Sequence, residues 1–155
     1  MDTSSRYDIF EEGDQTALVC IDDAEIQQAT VDQLTALGYK IHAGLFHEDV
    51  ALKLRTHNYS LVVVYENFNG CDLETNQILK EVVNCPAEQR RQQFVMLLGP
   101  NMVTSDEMQT FIYSVDIVYS LSDLPNMKTV LKRAAARHKE FYAPFMECLQ
   151  IAGVA

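Results

Sequence analysis

Ser60-Leu61-Val62-Val63-Val64-Tyr65 reads SLVVVY, an apolar run too short for a helix and too uninterrupted for a strand with one wet face. Strands of this kind are buried on both sides, in parallel sheets whose two faces are covered by helices. The same unit recurs on either side of it. Upstream, Thr16 to Ile21 (TALVCI) predicts a strand, Glu25 to Leu37 a helix closed by Gly38, Lys40 to Ala43 a second strand, and about Glu48 to Thr56 a second helix. Downstream come a helix over Asp72 to Val83 stopped by Pro86, a strand over Phe94 to Leu98 ended by Gly99 and Pro100, a helix over about Ser105 to Tyr113 and a strand over Ile117 to Tyr119. Thr104 and Glu107 stand at capping-box spacing. The order predicts an α/β, flavodoxin-like (βα)5 doubly wound parallel sheet with strand order 2-1-3-4-5. In such sheets the site lies beyond the carboxyl ends of the strands, which gathers Asp22, Asp23, Tyr65, Glu66, Leu98, Gly99 and Ser120.

The chain has 155 residues, 48% apolar and 22% charged, enough for one core. The division expected is an N-terminal extension over 1–15, the main domain over 16–136, and an extension of the last helix over 137–155 as an interaction segment. That helix starts near Pro125, and Met127, Val130, Leu131, Ala134, Phe141, Phe145 and Leu149 continue its apolar stripe. A formal charge of −10 speaks against binding nucleic acid or anionic lipid over the whole surface. The charge is polarised: residues 128–155 hold five basic and two acidic residues, net +3, and residues 1–127 hold −13. A solvated basic helix face is the expected reading, with no nucleic-acid partner.

No apolar run reaches the roughly 18 residues of a membrane span, and MDTSSRYDIFEEGD lacks the basic end and apolar stretch of a signal peptide. A cytoplasmic protein without membrane association is expected. Cys20, Cys71, Cys85 and Cys148 form no CxxC pair and are read as reduced thiols. His42 and His47 are five apart, and no histidine pair has the spacing of a zinc site. No Gly-rich phosphate loop, GxSxG elbow or Cys/His dyad is present, so an enzyme is not expected.

From Thr16 to Ala136 the chain resembles the receiver domains of two-component response regulators. The resemblance rests on CIDD before a helix ending in Leu37, Gly38 and Tyr39, and on YSLVVVY, similar to the run that leads to the family's phosphoacceptor aspartate. It implies that Asp22 and Asp23 match the acid pair that holds Mg²⁺ in that family. Counting from Tyr65 to Phe68, Cys71 and Asp72 puts Tyr65 at the acceptor position, with Asn69 and Leu73 where the family has Pro and Gly. Leu98 stands at the family's switch Thr or Ser, and Ser120, followed by Leu121, at its Lys-Pro. Acyl-phosphate formation needs a carboxylate nucleophile, a cation and a fixed ammonium, and a phenol with pKa near 10 is a poor nucleophile at neutral pH.

Asp22 and Asp23 therefore have two readings, a weak Mg²⁺ site and the capping of the following helix. Strand alternation aims Glu66 away from the site unless a bulge turns it inward. Arg90 and Arg91 read as a solvated helix or turn. The function expected is a phosphorylation-independent, receiver-like signalling module acting by protein–protein interaction, with no cofactor. The alternatives are a phosphorylatable receiver with an unusual acidic acceptor and a flavodoxin-like small-ligand binder. A homodimer through Phe141, Phe145, Met146 and Leu149 is expected. Its rival is a tail that bends at Pro144 and folds back over Tyr7, Ile9 and Phe10.

Overall fold

The computed structural model describes residues 10–70, 72 and 74–153. Tyr7, Ile9, Cys71, Leu73, the side chain of Leu149 and most of the 1–15 extension, all used above, lie outside the described residues. Five strands, β1 (Thr16–Cys20), β2 (Lys40–Ala43), β3 (Leu61–Tyr65), β4 (Phe94–Gly99) and β5 (Ile117–Ser120), form one sheet in the order β2-β1-β3-β4-β5. Every pairing is parallel, with Cys20 opposite Val64 and Tyr65 opposite Leu98.

The helices are α1 (Ala24–Ala36), α2 (His47–Thr56), α3 (Gln77–Val83), α4 (Ala87–Gln92), α5 (Glu107–Tyr113) and α6 (Met127–Ile151). Alternate side chains of each strand feed two cores, which is why the strands read as unbroken apolar runs. Leu18, Cys20, Val62, Val64, Val95 and Leu97 pack against Val50 and Leu54 of α2 and Ile78 and Val82 of α3. Val19, Val63, Met96, Leu98 and Tyr119 pack on the other face against Val31 and Leu34 of α1 and Met127 and Leu131 of α6.

Three local expectations are corrected. The helix placed over Asp72 to Val83 is only α3, because the Asp72 carboxylate accepts from the amides of Glu74 and Thr75 and closes a turn of its own. Asn76 then caps α3, accepting from the Leu79 amide at 3.1 Å. The Thr104–Glu107 capping box does not form. Asp106 caps α5 through the Gln109 amide, and the Thr104 hydroxyl donates to Asp123 instead. Arg90 is no solvated residue: it lies on α4 and pairs with Asp116 at 2.8 Å while donating to the Ser114 carbonyl. Arg91 stacks its guanidinium 4.8 Å from the Phe145 ring centre.

A 3-10 stretch over Leu121–Asn126, holding Pro125, leads into α6, which runs 25 residues through Pro144. Among the described residues Cys20, Cys85 and Cys148 are free thiols, and burial pushes the Cys20 thiol far up, out of reach of ionisation at neutral pH. No helix among the described residues is long and apolar enough to cross a membrane.

Candidate functional site

β1 and β3 are neighbours in the middle of the sheet, so the loops leaving their carboxyl ends meet. Asp22 and Asp23 arrive from β1, and Tyr65 and Glu66 from β3. Asp23 caps α1: its Oδ1 accepts from the amides of Glu25 and Ile26, both at 3.1 Å. Those two amides have no partner inside the helix, so a carboxylate there stabilises the first turn. Asp22 reaches across to the other loop, where its Oδ2 accepts from the Asn69 amide at 2.9 Å. Asn69 is left-handed at φ 57°, a conformation asparagine tolerates, and this aims its N–H back at β1.

Tyr65 is half-buried at the end of β3. Burial pushes its phenol above the usual value, and the negative charges of Asp23, Glu66 and Asp22 push the same way. The phenol is therefore held in its neutral form.

Glu66 is buried, 2% exposed. Its amide still donates to the Leu98 carbonyl at 2.9 Å, and its side chain lies over Gly99 at the end of β4. Asn101 engages both carboxyl oxygens, the amide donating to Oε1 at 2.8 Å and Nδ2 to Oε2 at 3.3 Å. Asn76, fully buried, binds the main chain on the other side, its Nδ2 donating to the carbonyls of Tyr65 at 2.9 Å and Glu66 at 3.2 Å. The exit of β3 is thus fixed from α3 and from the loop after β4.

The remaining positions do not join this group. Leu98 belongs to the core beneath α1 and α6. Ser120 is bound up in local hydroxyls: its amide donates to the Thr104 Oγ1 at 2.9 Å and its Oγ lies 2.8 Å from that of Ser122. Leu98 is apolar, and Ser120 carries no charge to balance that of a phosphoryl group.

A divalent cation fits these donors poorly. Asp23 caps a helix, Asp22 accepts from Asn69, and the Glu66 carboxylate is taken by Asn101. No group of three or more His, Cys, Asp or Glu among the described residues is arranged to hold a metal ion.

Asn76 and Asn101 organise the site, and the sequence reading gave neither of them that role. For Asn76 a signal was present, since an Asn directly before ILKEVV has the form of a helix cap.

No protein-family model matches the chain, and no curated protein matches it. Solved structures do. A chemotaxis response regulator of Vibrio cholerae is 13% identical over 78% of this chain and 98% of its own, with a TM-score of 0.62. The receiver domain of a Francisella response regulator is 14% identical over 80% and 98%, with a TM-score of 0.61. An orphan response regulator of H. pylori is 17% identical over 79% and 98%, with a TM-score of 0.59. The chain therefore has the fold of response-regulator receiver domains.

Proposed function

We propose that the chain is a phosphorylation-independent, receiver-like signalling module of the cytoplasm, not an enzyme, which acts by binding protein, a second copy of itself included. The domain division set out above, with residues 16–136 as the module, belongs to the same reading. One observation carries it. The residue ending β3 is a tyrosine, and the adjacent carboxylate, that of Glu66, is buried and held on both oxygens by Asn101. A nucleophile must reach the phosphorus in an activated form: the Tyr65 phenol is held neutral and is a weak nucleophile, and the Glu66 carboxylate is buried. Leu98 and Ser120 supply no charge to hold a transferred phosphoryl group, and Asp22 and Asp23 are engaged with main-chain amides. What is left for the module is its surface.

Incubation with acetyl phosphate and Mg²⁺ tests this, with an unchanged intact mass expected. A hydroxylamine-labile gain of one phosphoryl group, mapped to Glu66 or another acid, would overturn the reading in favour of a receiver with an unusual acceptor.

A further inference from the structure

The basic run of α6 lines a groove where that helix passes the end of α1. The amide of Lys128 donates to the Gln33 Oε1 at 2.7 Å, and the Gln33 Nε2 donates to the Leu124 carbonyl, so the two helices are tied together where the groove begins. Two overlapping stretches of it, about 620 and 420 Å³, share Ala36, Leu37, Lys132 and Ala136. Lys128 and Arg133 line the first stretch and Lys139 the second, and all four cations are exposed. Among the described residues no acid lines either stretch, and none of the four cations has an ion-pair partner. A chain of net charge −10 thus collects four of its 12 basic residues in one channel without a balancing carboxylate.

We propose that this groove between α1 and α6 binds an extended acidic segment of a partner protein. The proposal rests on the protein-contact reading above and assigns it a surface and a partner chemistry. Lys128, Lys132 and Lys139 stand at steps of four and seven, which puts them on one side of α6. The row they form is about 16 Å long, at 1.5 Å per residue. An extended chain advances about 3.3 Å per residue and covers that length in about five, with alternate side chains pointing the same way. Acidic residues at every second position therefore meet the row of ammonium groups, and Ala36, Leu37 and Ala136 give the backbone an uncharged floor.

The spread of the cations selects this occupant. A phosphate or a nucleotide concentrates its charge and calls for donors converging on one point, whereas these are strung along a helix. A nucleic-acid strand would carry its charge past both ends of the groove and meet the acids of the remaining chain. It would also find one aromatic ring along the way, that of the half-buried Tyr39, where single strands are held by stacking on several. A short acidic segment spends its charge inside the groove.

Fluorescence anisotropy on the full chain tests the proposal, with a labelled decapeptide that carries glutamate at alternate positions and serine between them. In about 0.1 M NaCl the screening length of about 10 Å leaves contact pairs attractive and mutes the more distant acids, and binding at about 100 µM is expected there. Lys132→Glu, at the part of the groove common to both stretches, should weaken it about tenfold, and Lys132→Gln about threefold. Lys80→Glu, on an exposed lysine of α3 outside the groove, changes the net charge as much and should leave binding within about twofold. Melting temperatures of all three variants should match wild type, since these side chains are exposed. No binding at about 1 mM peptide overturns the proposal. So does an equal loss with Lys80→Glu. A labelled oligothymidine that binds more tightly than the peptide, and is released by Lys132→Glu, also overturns it and makes the groove a nucleic-acid site. A phosphoryl adduct on the intact mass would overturn the proposed function and leave the peptide site standing, whereas an unchanged mass with no peptide bound removes this site alone.

Discussion

A methyl group at position 99 would overlap the carboxylate of Glu66, so Gly99 is required by space, with no positive φ involved. Gly99→Ala should therefore destabilise the chain by about 1–3 kcal/mol, the ordinary cost of overpacking. Glu66→Ala should cost a similar amount, because it leaves a void and takes the acceptor from Asn101. Together they should cost clearly less than their sum, by about 1 kcal/mol or more, since the second change makes room for the first. Urea denaturation of the four chains measures this, and strict additivity would place the Glu66 side chain elsewhere. This is also where the sequence was least legible. Asp22 and Asp23 are readable as the acids after a strand. The placement of Glu66 depends on Asn101, 35 residues away, which no local pattern records.

On the scale of elements, the short apolar strands were legible because both faces are buried and the run itself is the signal. The helix bounds were less so, since Asp72 and Thr104 carry side chains that cap turns as readily as helices. The last helix has one further property that sequence spacing could not show. His138 of α6 packs edge-on to Phe94 at 5.1 Å and against Tyr142, with its Nε2 3.6 Å from the Asp116 Oδ1, too far for a hydrogen bond. Burial lowers its pKa from the ordinary 6.5; Asp116 opposes that and Arg90 adds to it. The unfolded chain then takes up the proton more readily than the folded one. His138 should thus leave stability intact above about pH 6.5 and subtract from it as the pH falls from there toward the lower folded-state value. Urea midpoints at pH 7.5 and 5.5 should converge in His138→Gln relative to wild type. A wild-type midpoint that rises on acidification, and does so only with His138 present, would reverse the sign.

At the scale of the whole molecule, the net charge of −10 makes the folded chain repel itself. Raising NaCl from about 0.01 to 0.3 M shortens the screening length several-fold, and the melting temperature should rise by about 2–4 °C, equivalent to about 1 kcal/mol for a chain of this length. The measurement is best made at a chain concentration too low for self-association to contribute. A fall would mean that ion pairs such as Arg90 with Asp116 outweigh the general repulsion. The exit of β3 has a consequence at this scale too. Asn76 holds two successive carbonyls there and Asn101 the Glu66 carboxylate, so a second arrangement of that segment would have to break these bonds, while a conformational switch needs two of comparable energy. Under the proposed function nothing at this end of the sheet flips. The quantity such a module can report is its own abundance: occupancy follows mass action, and control passes from a chemical mark on the protein to the rates at which copies are made and destroyed.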